Sequence, residues 1–169
     1  MESSEKIVET YMRFCKKAFT IPNIKCKGNS EIDLLAISSE GQKYHIEVSI
    51  STSAGFAKLR STDFRTLSDH ASQRRCINWI IPYKFNKQTI IEKLHEYGFH
   101  NNGYEKVIVS NGWDEDVGGI AVQNNILLWD IRNLLREIIN DMSSQTLYFS
   151  DDILRLFQVL NKTNIIKNL

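Results

Sequence analysis

The segment that most restricts the fold is a pair of strand patterns set a few residues apart. "YHIEVSIS" (44–51) alternates strictly, with Tyr44, Ile46, Val48 and Ile50 on one side and His45, Glu47, Ser49 and Ser51 on the other. A period of two marks a β-strand. Immediately upstream, "EIDLLAIS" (31–38) is apolar almost throughout, the pattern of a strand buried on both faces. The intervening "SEGQK" has hairpin-loop composition, so the second strand returns antiparallel to the first.

The rest of the chain extends this hairpin into an α/β architecture. Ile7, Tyr11, Cys15 and Ala18 recur at helical spacing, with Val8, Met12 and Phe19 beside them, and predict a helix over 4–18. "TIPNIKCKG" predicts a strand entering a turn at Gly28-Asn29. Residues 57–75 are helical in composition, and "CINWIIPY" reads as a short buried strand stopped by Pro82. "NKQTIIEKLHEYGF" predicts a helix ending at Gly98, "YEKVIVSN" a strand, and "AVQNNILLWDIRNLLREIIND" a strand-like piece running into a helix. A last helix over 151–161 has Asp151 or Ser150 as its cap. Its stripe of Ile153, Leu156, Phe157 and Leu160 suits covering the sheet or closing a homodimer. The order of elements is that of an α/β sandwich with a mixed sheet. The 169 residues contain no repeat, low-complexity tract or linker, which predicts one domain over 1–169.

The chemistry is concentrated on the hairpin. Asp33 lies inside the apolar run "IDLLAI", where a carboxylate is costly unless a cation compensates it. Glu47 follows on the partner strand. The hairpin brings the two acids together, and converging carboxylates make an oxygen cage suited to Mg²⁺ or Mn²⁺. Such an ion polarises a phosphate and makes hydroxide available near neutral pH. A pair of acids facing solvent is the alternative. His45, on the same side as Glu47, reads either as a ligand or as a polar strand residue.

The stretch "EIDLLAISSEGQKYHIEVSIS" resembles the core of the PD-(D/E)XK nuclease superfamily, in particular archaeal Holliday-junction resolvases and restriction-endonuclease-like domains. Their pattern is a hydrophobic-Asp-hydrophobic strand, a short hairpin, and a strand reading Glu-x-Lys. Asp33 matches the Asp and Glu47 the second acid. The order of elements over residues 4–140 follows the family, with 141–169 as a helical extension. The resemblance implies an αβββαβ core with a mixed central sheet flanked by helices, and helical additions after the third strand and at the C-terminus. It also implies an endonuclease, a hydrolase of phosphodiester bonds in DNA, with Asp33 and Glu47 holding Mg²⁺. A glutamate from the first helix often joins such a site, with Glu5 preferred over Glu9.

The family's lysine position holds Ser49, which can bond a water but brings no charge. Three readings are open. A cation from elsewhere reaches the site, with Lys58 the nearest candidate and Arg60 the next. The site works with metal alone. Or it is degenerate, and the fold binds DNA or protein.

Composition narrows the remaining classes. Net charge is +1, so any nucleic-acid surface must be local. Residues 56–87 carry Lys58, Arg60, Arg65, Arg74, Arg75, Lys84 and Lys87 against Asp63 and Asp69; Lys58, Arg60, Arg65, Arg74 and Arg75 are expected to bind phosphates, with a merely solvated face as the alternative. The small residues of "STSAGFAKLRS" suit a phosphate cradle or a flexible connection. The acids of "GWDEDVGG" read as a surface turn, with a second metal site as the alternative. The three cysteines cannot all pair, which favours a reduced, cytoplasmic setting. Neither GxGxxG nor GxxxxGK[ST] occurs, and the histidines lack zinc-site spacing.

Overall fold

The computed structural model describes residues 2–51, 58–68, 70–100, 103–143, 145 and 148–163. Helix α1 (Ser3–Phe14) precedes three strands, β1 (Phe19–Cys26), β2 (Ser30–Ile37) and β3 (Lys43–Ser49). Short helices α2 (His70–Gln73) and α3 (Ile77–Ile80) follow, and α3 continues as a π turn over Ile81–Phe85. Then come α4 (Gln88–Glu96), β4 (Glu105–Ser110), α5 (Glu115–Gln123), β5 (Ile126–Asp130), α6 (Ile131–Ser143) and α7 (Asp152–Lys162). The strands form one mixed sheet in the order β1-β2-β3-β4-β5. The first three are antiparallel, and β4 and β5 run parallel to β3.

Both faces of the sheet are covered, as the apolar run of β2 requires. On one face Leu34, Ala36, Ile46, Val107 and Val109 pack with Val8, Tyr11 and Met12 of α1 and Leu134 and Ile138 of α6. On the other, Leu35 meets Ile90 and Leu94 of α4, while Ile108 meets Ile77, Ile80, Phe85 and Val117. The side of β3 bearing His45 and Glu47 is therefore interior: both residues are buried. At the β1–β2 turn, Gly28 (φ 66°) and Asn29 (φ 55°) take the left-handed conformation that a tight reversal demands.

Four local expectations are corrected. The first helix ends at Phe14 rather than near residue 18; Lys17 turns left-handed (φ 51°) and the amide of Ala18 donates back to Met12 O. Described residues of 57–75 are mostly not helical. They form a 3-10 turn at Phe64–Thr66, the four residues of α2, and bridges Leu59↔Trp113 and Arg60↔Cys76. With Leu59 as its buried anchor, the segment has no apolar stripe to bury as a helix. "CINWIIPY" is helix rather than strand; Pro82, which cannot extend an α ladder, sits where the helix widens. In α7, Leu154 and Gln158 face inward and Leu156 is 52% exposed, so the buried stripe is rotated from the one expected; this helix packs on α1 and α6. Asp151 caps it as expected, accepting from the amides of Ile153 and Leu154.

Among the described residues, no helix is long and apolar enough to cross a membrane.

Candidate active site

The β2–β3 pairing runs from Ile37↔Lys43 to Leu34↔Ile46, and its next step sets Asp33 opposite Glu47. Residues directly opposite share a face. There the side chain takes over from the ladder: the Val48 amide donates to Asp33 Oδ2 at 2.8 Å. The two strands thus part around the carboxylates without orphaning that amide.

The cation comes from the π turn after α3. Lys84 Nζ lies 2.8 Å from Asp33 Oδ1, 2.6 Å from Glu47 Oε2 and 2.9 Å from the carbonyl of Glu31. The ammonium donates to Asp33 Oδ1 and to the Glu31 carbonyl, and meets Glu47 Oε2 as an ion pair. The other Glu47 oxygen, Oε1, lies 2.9 Å from His45 Nε2. An ionised carboxylate only accepts, so with Glu47 ionised this contact takes the Nε2–H tautomer. His45 is fully buried against the Phe85 ring, at 4.8 Å between centroids, and its Nδ1 has no hydrogen-bond partner among the described residues.

Burial dominates the electrostatics. Desolvation, with repulsion from Glu47, pushes Asp33 up to about 7 in spite of Lys84. Desolvation pushes Glu47 up to about 7 against the pull of Lys84. The imidazole of His45 is pushed down to about 3 by burial and is neutral. Lys84 is raised because the attraction of both carboxylates exceeds its own desolvation. The cluster is a buried ammonium between two acids that are held together at a cost.

The cluster lies at the floor of a cavity of about 640 Å³. Glu2 and Glu5 of the α1 region, Asn29, Ser30 and Glu31, and Arg74, Arg75, Trp79 and Tyr83 line it. Lys87 lines it too and donates to Ser30 Oγ at 2.6 Å. Ser49 also lines the cavity, its hydroxyl 3.4 Å from the Arg74 carbonyl. Glu5 reaches this space; burial first, and then the charge of Asp33, raise its pKa. Glu9 does not: it pairs with Lys6 and accepts from Thr20 Oγ1. Among the described residues, no three His, Cys, Asp or Glu side chains converge closely enough to hold a metal ion alone.

Of the residues expected at the site, Asp33, Glu47, Ser49 and Glu5 share the cavity. Lys58 does not line it; the lysine is exposed and lies against Gly112, so Lys84 is the cation at the carboxylates. Among the expected phosphate binders, Arg74 and Arg75 line the cavity. Arg60 is exposed outside it, and Arg65 is engaged by Asp63 at 2.9 Å. His45 holds Glu47 rather than facing the cavity. Much of the expected phosphate cradle, residues 52–57, lies outside the described residues. Asp114, Glu115 and Asp116 open helix α5, where acids favour the dipole.

No protein-family model, curated protein or solved structure matches this chain.

Proposed function

We propose that the chain is a metal-dependent deoxyribonuclease with a restriction-endonuclease-like core. The observation that carries this reading is the Asp33–Lys84–Glu47 cluster at the floor of a cavity whose wall bears Arg74 and Arg75. The order α1, β1–β3, helices, β4 supports the αβββαβ resemblance. Lys84 brings a charge to the acids although Ser49 brings none, and this favours the active reading over the degenerate one.

The donor set suits Mg²⁺ or Mn²⁺. Asp33 and Glu47 already direct one oxygen each at a single positive charge, and Glu5 adds a third carboxylate to the same cavity. Mg²⁺ typically takes one or two carboxylates and completes its shell with water and phosphate, so a cage of three protein acids is not required. When bound, the ion supplies Lewis acidity toward the phosphate and lowers the pKa of its water.

The remaining work falls to the chain's own residues. His45 holds Glu47 Oε1 and so leaves Oε2 directed at the centre. The Val48 amide fixes Asp33 in the same way. Lys84 places a preorganised ammonium where negative charge develops on the phosphoryl oxygens. Arg74 and Arg75 hold the phosphate backbone.

The test is hydrolysis of supercoiled and linear DNA by purified protein in Mg²⁺ or Mn²⁺. Asp33→Asn and Glu47→Gln should remove activity while circular dichroism stays unchanged. Undiminished hydrolysis in excess chelator, or in either variant, would overturn the assignment.

A further inference from the structure

We infer that the cleft takes a single nucleic-acid strand rather than a duplex, with a base stacked on the aromatic wall formed by Trp79 and Tyr83. The inference rests on the reading of the site as a nuclease and narrows its substrate.

The aromatic wall is fixed in place. Trp79 and Tyr83 are stacked, with centroids 5.2 Å apart and planes 20° apart, and Phe64 meets Tyr83 edge-on at 5.9 Å. Trp79 is anchored by packing on the cluster of Ile77, Ile80 and Phe85. Tyr83 is 44% exposed although it carries a large ring, and it lines the cavity one position before Lys84. A phenol beside the ammonium and the two carboxylates offers a stacking surface for a base whose phosphate enters the site. Every base has a π face, so such a platform accepts unpaired nucleotides of any sequence. A paired base in a duplex has both faces covered by its neighbours.

Charge and size agree. The cations Arg74 and Arg75 and the acids Glu2, Glu5 and Glu31 line the same cavity as the two rings. One backbone can be held by the two arginines. With three acids in the same lining, the phosphates of a second strand would add repulsion. The cavity's 640 Å³ is the size of a small-ligand site, matched to a few groups of one strand.

The test measures fluorescence anisotropy in chelator, using a labelled single-stranded oligonucleotide and the duplex of the same sequence. The protein should bind the single strand more tightly. Tyr83→Ala should weaken single-strand binding about tenfold to a hundredfold, the range for losing one base–aromatic stack. Tyr83→Phe, which keeps the ring, should retain it. Equal or tighter duplex binding, or full single-strand affinity in Tyr83→Ala, would overturn the inference. A parallel cleavage assay in Mg²⁺ separates the two claims. Hydrolysis of duplex alone overturns the strand preference and leaves the nuclease reading. Tight single-strand binding without hydrolysis of either form overturns the nuclease reading and supports the preference.

Discussion

Lys84 and Asp33 stand 51 positions apart in sequence, yet Nζ of one lies 2.8 Å from Oδ1 of the other. This bond ties the π turn after α3 to the hairpin that carries both acids. It also puts a charge where the residue at position 49 brings none.

Replacing Lys84 should therefore separate from replacing Lys58. Lys84→Ala should lower hydrolysis about a hundredfold or more, the scale for losing one preorganised charge-stabilising donor. Lys58→Ala should leave the rate nearly unchanged. Lys84→Met keeps the length of the stem but leaves two buried acids without a counter-charge. Breaking a buried pair in this way costs about 3–5 kcal/mol, which urea denaturation in chelator would register. A rate that follows Lys58 and ignores Lys84 would remove Lys84 from the mechanism.

The hairpin is legible in the sequence because two simple signals coincide there, a period of two and a carboxylate inside an apolar run. Asp33 and Glu47 follow from them. The role of Lys84 is hidden, although the residue carries a similar mark: a lone cation in "IIPYKF". Apolar runs of this length do not distinguish a buried strand from a buried helical turn, and Pro82 reads as the stop of such a strand. A strand would point Lys84 along a sheet; the helical turn drops it onto the acids. The burial of His45 is equally hidden, since alternation marks its face but not what covers it. Phe85 and α4, which pack on that side, are remote in sequence.

The pH dependence follows from the same burial. Asp33 and Glu47 are both pushed up to about 7, and their protons leave as a coupled pair. Hydrolysis should rise as pH rises through about 7. Because metal competes with protons, more Mg²⁺ should move that limb to lower pH. For metal-free stability the sign is opposite. The folded acids hold protons that the unfolded ones, near 3.8 and 4.5, have released, so stability falls as pH rises between those values and about 7. His45, pushed down from 6.5 to about 3, works against this: its contribution is lost as pH falls through that window. Two carboxylates outweigh one imidazole, so denaturation in chelator should show a net decline from about pH 5 to about pH 7. A net rise over that range would mean that Lys84 keeps both acids ionised throughout.

The basic segment divides by geometry. Arg74 and Arg75 line the cavity, and no acid among the described residues pairs with either. Arg65 is held by Asp63, partly neutralised and exposed. Arg74→Glu with Arg75→Glu should weaken DNA binding and flatten its salt dependence by about one unit of slope for each phosphate no longer held. Arg65→Glu should do little. A salt titration of affinity for wild type and both variants reads this directly, and equal effects would mean a diffuse patch in place of a built wall.

His45 gives the sharpest test of how the site is positioned, because its ring meets Glu47 Oε1 from the buried side, away from substrate. Removing that donor leaves a buried carboxylate oxygen with nothing to accept from, which favours the protonated acid. His45→Leu should therefore move the rising limb of the pH–rate profile to higher pH and raise the Mg²⁺ concentration needed for half-maximal rate about tenfold or more, the range for losing an outer partner of a metal ligand. Saturating Mg²⁺ at high pH should restore most of the rate, since the residue does not touch the reacting atoms. His45→Gln, which keeps an N–H donor, should lie between wild type and His45→Leu in both measurements. A loss of rate in His45→Leu that neither Mg²⁺ nor pH restores, with the fold intact, would instead place the imidazole in the chemistry itself.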